Sequence, residues 1–156
     1  VSQTAARSRP WGVHRRRYLL ATATLTASAL YVGPWAAFAP RSFYDAFPGL
    51  HRVWVGVDGP FNEHLVRDVG GLYLALAVAG LVALVRQEPA ATVMLGGAWT
   101  AFATVHLTYH LHHLGGFDAI DVVGNVVALG GTLMLALLLL VLGLQALVDG
   151  EGPPTT

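Results

Sequence analysis

Residues 90–114 read AATVMLGGAWTAFATVHLTYHLHHL. The stretch holds no Asp, Glu, Lys or Arg. A bilayer core takes about 20 apolar residues in helical form, so this segment reads as a membrane span. Its end is unusual: His106, His110, His112 and His113 crowd into its last turns. On a helix at 100° per residue, His106, His110 and His113 fall within roughly 60° of one another, and His112 points elsewhere. Ionisable groups at membrane depth are costly and turn toward a protein interior or a polar cavity. The stretch therefore implies a bundle of helices, one of whose walls is an imidazole stripe.

Three more apolar segments supply the rest of the bundle. Hydrophobic residues make up 54% of the chain and charged residues 12%, with positive mean hydropathy, which is the composition of a polytopic membrane protein. At 156 residues, four helices use nearly the whole chain. The spans are expected at about 18–39, 61–85, 90–114 and 118–148. Residues 1–17 and 149–156 are then cytoplasmic tails. The fold class is all-α, a four-transmembrane-helix antiparallel bundle. The longest loop, 40–61, is broken by Pro40, Pro48, Gly49, Gly56, Gly59 and Pro60 and is rich in aromatics. It predicts one or two short interfacial helices lidding the bundle. A signal peptide competes for the first segment, with an Ala-x-Ala match at Ala37-Phe38-Ala39, but Pro40 obstructs cleavage and the apolar run is long for one.

The nine basic residues are all Arg. Arg7, Arg9, Arg15, Arg16, Arg17 and Arg86 fall on one side of this topology, and Arg41, Arg52 and Arg67 on the other. The bias places both termini in the cytoplasm. Heavy use of Ala, Gly, Val and Leu with no Lys suggests a bacterial source, so the protein is expected to be multi-pass in a bacterial inner (plasma) membrane. Zero net charge gives no pull toward nucleic acid. The absence of cysteine removes disulfides, thiolate zinc sites, iron–sulfur clusters and thiol catalysis.

In this topology the polar residues gather toward one leaflet. The second span brings Glu63, His64, Arg67 and Asp68, the third the histidines, and the fourth Asp118, Asp121 and Asn125. Glu63/Arg67 and His64/Asp68 are also i, i+4 pairs that helix stability alone explains. Asp118 reads as an N-cap, and Asn125 as a possible bond between helices. Two histidines at i, i+4, joined by a carboxylate from a neighbour, make three metal ligands with a position left for water or substrate. The expected metal ligands are His64, Asp68, His106, His110 and His113. Glu63, Arg67 and Asp121 are the expected catalytic or proton-transfer groups. A sulfur-free donor set suits zinc, iron, manganese or copper. Haem b held by His64 with His106 or His110 ranks below a metal ion.

The block Gly59-Pro-Phe-Asn-Glu-His-Leu-Val-Arg-Asp-Val-Gly-Gly71 resembles a signature of small, uncharacterised four-span actinobacterial membrane proteins. So does His106-Leu-Thr-Tyr-His-Leu-His-His113, followed by Asp121-Val-Val-Gly-Asn125. The layout is more loosely DoxX-like. The resemblance implies the four-helix fold and marks the same polar blocks, and it transfers no reaction. Three functions follow as expectations. The first is a metal-binding pocket, with membrane oxidoreductase or metal-dependent hydrolase activity on a lipid-soluble small molecule. The second is an accessory or scaffold role, in a homo-oligomer or with other membrane proteins, with a structural polar cluster. The third is small-molecule or proton transport.

Overall fold

A computed structural model describes residues 11–150. After one 3₁₀ turn at Gly12–His14, the chain forms α1 (Arg15–Phe38), α2 (Pro40–Ala46), a minimal hairpin of β1 (Pro48–Gly49) and β2 (Arg52–Val53), and then α3 (Glu63–Arg86), α4 (Pro89–His112) and α5 (Ala119–Gly150). Three helices, α3, α4 and α5, are long and apolar enough to cross a membrane. α1 matches α3 and α4 in length at 24 residues, about 36 Å. It is less apolar because Thr22, Thr24, Thr26, Ser28 and Pro34 interrupt it. Thr22 and Thr26 are buried, and each hydroxyl donates to the carbonyl four residues back. Those bonds satisfy the hydroxyls within the helix itself.

The long helices associate as two close antiparallel pairs, α1 with α3 and α4 with α5. Close approach needs small residues, since lipid tails supply no hydrophobic drive between helices. On α3, a Cβ at Gly70 would collide with the Ala37 backbone of α1. On α4, a Cβ at Gly96 would lie 2.5 Å from the Leu140 nitrogen of α5. The two pairs meet more loosely, mainly α1 against α5 and α3 against α4. In that looser middle sits an aromatic cluster: Tyr73 packs edge-on to Trp99 and Phe102, with ring centroids 5.8 and 5.3 Å apart.

The two ends of the bundle close differently. At the arginine end, the Trp11 indole stacks on Tyr18 at 4.2 Å and donates to the Gln87 carbonyl at 2.9 Å. Tyr18 donates to the Ala83 carbonyl. Part of the expected tail is thus built into the fold, and α1 starts at Arg15, three residues before the expected boundary. At the other end lies the lid, where the expectation of short helices holds only for α2. Residues 48–53 form a β-hairpin instead, because Leu50 and His51 both take positive φ (56° and 60°), as a two-residue type I′ turn requires.

Candidate functional site

The lid is clasped to the start of α5. Asp118 caps α5 by accepting from the Asp121 backbone N–H at 2.8 Å, the N-cap role expected of it. Its other oxygen meets Arg52 of the hairpin at 2.7 Å, and Arg52 also reaches Asp121 at 3.2 Å. The Asp121 N–H, then the Arg52 guanidinium, hold the Asp118 carboxyl below the usual carboxylate range. The same bonds, that to Asp118 foremost, raise the Arg52 guanidinium above its ordinary value. Asp121 accepts from the Trp54 indole N–H at 2.8 Å, and the Trp54 ring lies against Gly124. Asp121, expected to be catalytic, is occupied in holding the lid.

Beneath the lid a cavity of about 590 Å³ opens between the two helix pairs, within the range of small-molecule sites. Every long helix contributes to it. Val32, Val66, Val69 and Leu129 give apolar walls, and Phe43, Phe47 and Trp54 roof it from the lid. Trp99 and Tyr73 line it near mid-bundle. His106, His110, Asn125 and Asp58 are its main polar groups.

His106 and His110 come together as the helical spacing predicts, with ring centroids 4.7 Å apart. His106 stacks on Phe102 at 5.0 Å. His110 Nδ1 lies 3.9 Å from Asp58 Oδ2, beyond hydrogen-bond reach. Three buried polar atoms of cavity-lining residues have no partner among the described residues: Trp99 Nε1, His110 Nδ1 and Asn125 Oδ1. A buried polar atom left unpaired costs about 1–3 kcal/mol. Trp99 is 1% exposed and Asn125 3%.

The other expected site residues lie elsewhere. Glu63 and Arg67 pair at 2.8 Å on the exposed flank of α3, and Arg67 also donates to the Ala37 carbonyl at the end of α1. His64 and Asp68 form an exposed pair at 3.4 Å, with side chains 82% and 61% accessible. The helix turns both away because Val66, Gly70 and Tyr73 form its buried face. His113 stacks on Tyr109 at 4.0 Å, and its Nδ1 bonds the Tyr109 carbonyl at 2.7 Å. His112 likewise bonds the Thr108 carbonyl at 2.7 Å. The His113 bond satisfies one of the four carbonyls left free at the end of α4. The expected ligands His64, Asp68 and His113 are therefore not gathered with His106 and His110. Among the described residues, no group of three or more His, Asp or Glu side chains is placed to hold a metal ion.

Sequence reasoning missed Asp58 and Trp99. Asp58 sits in a Pro/Gly-rich loop, where a carboxylate is unremarkable, and Trp99 is one aromatic in an apolar run. Only the rarity of an indole N–H in the middle of a span marks it out. Comparison with protein-family models, with curated proteins and with solved structures gives no match.

Proposed function

We propose that this chain is a multi-pass protein of a bacterial plasma membrane whose lidded cavity binds a lipid-soluble small molecule. In this reading α1 is the fourth span. Its length, its pairing along α3 and its self-bonded hydroxyls support that role. Both termini are cytoplasmic, supported by the clustering of Arg15, Arg16, Arg17 and Arg86 at the bundle end away from the lid. The cavity then opens in the outer half of the bilayer.

One observation carries the binding function. A largely apolar cavity of about 590 Å³ is lined by all four long helices, with His106, His110, Asn125 and Asp58 as its main polar residues. A ligand with an apolar body and a polar group would match such a lining. A binding role fits better than catalysis, because Glu63, Arg67 and Asp121 are committed to ion pairs, to the end of α1 and to the lid. A resident metal gains no support, since among the described residues no group of three or more His, Asp or Glu is placed to hold one.

The test is a titration of the full chain in nanodiscs with the uncharged fluorophore Nile red, against empty nanodiscs. Saturable binding near one probe per chain is expected. Ala128→Phe, which fills the cavity from α5, should abolish it while elution profile and helical circular dichroism stay unchanged. Wild-type protein that binds no more probe than empty nanodiscs would overturn the proposal.

A further inference from the structure

A cavity roofed by Phe43, Phe47 and Trp54 needs a way in, and the fold leaves one between α3 and α4. Two rows of side chains flank that seam. Tyr73, Val69 and Leu65 climb α3 toward the lid at every fourth residue, and Phe102, His106 and Tyr109 climb α4 at i, i+4, i+7. The rows meet at their deep end, where Tyr73 packs edge-on to Phe102 at 5.3 Å. Above that contact they part. Exposure on α3 climbs from 8% at Tyr73 to 39% at Val69 and 59% at Leu65, and Tyr109 on α4 is 46% exposed. These four residues also line the cavity, so its wall thins toward the lid end of this seam. The charged side chains at this end of α3 pair within α3 and with the end of α1, and none of those bonds reaches α4.

The opposite seam, between α1 and α5, is tied. Val32 and Asn125, which line the cavity there, are buried. Tyr31, the exposed lining residue of α1, is held by its hydroxyl, which donates to the Pro48 carbonyl at 3.0 Å. The same hairpin is bound to the start of α5 through Arg52 and Trp54. Lifting the lid would break that ion pair and those hydrogen bonds. Widening the α3/α4 slot displaces only aliphatic and aromatic side chains. In the membrane reading the slot faces the hydrocarbon of the outer leaflet, where a lipid-soluble molecule is already concentrated.

We infer, resting on the binding function proposed above, that the cavity fills sideways from the outer leaflet through a slot between α3 and α4 framed by Leu65, Val69 and Tyr109, while the lid stays clasped. Its ligand is then a molecule drawn from the leaflet and not one delivered through the lid from water.

A gate slows entry and exit alike and leaves Kd unchanged, whereas a wall residue changes Kd. The chain has no cysteine, so introduced pairs are unique. In the full chain in nanodiscs, Leu65→Cys with Tyr109→Cys, bridged by a bis-methanethiosulfonate reagent, closes the slot. Arg52→Cys with Asp118→Cys, bridged in the same way, locks the lid to α5. Nile red exchange is followed by stopped flow, with empty nanodiscs correcting for partitioning. Bridging the slot should slow association and dissociation each about tenfold, hold Kd within about twofold, and be reversed by reductant. Bridging the clasp should leave both rates as they are before bridging. Val69→Trp, which narrows the slot with no bridge, should slow both rates as well, so the test stands even where the reagent spans the slot poorly. Unslowed exchange in both the bridged slot and Val69→Trp overturns the inference. So does slowing by the locked clasp, which routes the ligand beneath the lid. Absence of saturable Nile red binding is a different failure, since it removes the cavity function itself.

Discussion

Two polar blocks of this chain look alike in sequence and end in opposite surroundings. Glu63-His-Leu-Val-Arg-Asp68 opens α3, and the His106/His110 stripe faces Asn125 near the lid end of α4 and α5. Each carries i, i+4 polar pairs at a helix end. The α3 block lies on the flank, paired within itself and open to its surroundings. The α4/α5 block faces the cavity, half-buried or fully buried, with two of its atoms unpaired. Identical spacing thus gives a self-satisfied surface ladder in one place and a cavity wall in the other. What separates them is helix rotation, fixed by Gly70 against Ala37 on one side and Gly96 against Leu140 on the other.

The comparison can be broken most forcefully at the lid. Asp121→Ala strips the acceptor from the Trp54 indole and one partner from Arg52. A loss of about 2 kcal/mol is expected, the cost of a partly buried donor left unpaired. Thermal unfolding of the purified protein and faster hydrogen exchange over residues 47–61 would register it. An unchanged exchange rate would show that the lid is held by packing alone.

Arg67→Ala comes next, at about 1 kcal/mol. It removes the donor to the Ala37 carbonyl as well as the exposed pair with Glu63. Glu63→Ala removes only that pair and should cost less, within the ~0–1 kcal/mol of a surface ion pair. Equal losses for the two would refute the capping role of Arg67.

The hairpin gives an effect of opposite sign. Leu50 and His51 hold positive φ, which Asn-Gly accepts with far less strain. The double replacement Leu50→Asn with His51→Gly should raise stability by about 0.5–1 kcal/mol in chemical unfolding. Smallest of all is His64→Ala with Asp68→Ala, within about 0.5 kcal/mol and with no change in Nile red affinity. A large loss of probe binding there would collapse the distinction between the two blocks.

Strong acid should weaken the clasp. The folded-state pKa of Asp118 is depressed, so its contribution is fully present above the ordinary carboxylate range and disappears as pH falls through that lowered value. Hydrogen exchange over the hairpin should therefore quicken only at strongly acid pH. The same measurement on Arg52→Ala should show the onset moved toward higher pH.

Much of this was legible in the residues. The apolar runs mark the long helices to within a few positions, since hydropathy and length suffice for segments that can cross a bilayer. Asp118 as a cap, His106 beside His110, and His112 away from the stripe all follow from helical periodicity and cap chemistry. The hairpin was not legible, because Leu-His is no turn signal and both residues take positive φ values that such side chains rarely adopt. Nor was the outward turn of His64 and Asp68. In a water-soluble helix the apolar stripe points to the core and fixes which side is buried. Where the surroundings are as apolar as the interior, that signal vanishes and small-residue packing decides instead.

The sequence by itself determined the elements: which segments are long apolar helices, where they start and stop, and which polar side chains share a stripe. Those are local properties, set by backbone hydrogen bonding and by spacing along one chain. Tertiary structure alone decided which stripe faces inward. It brought Asp58 from the loop, Trp99 from mid-helix and Asn125 from α5 around one cavity. That choice depends on how closely two helices can approach, and the approach is set across helices by glycines more than forty residues apart from the atoms they meet for Gly96, and more than thirty for Gly70.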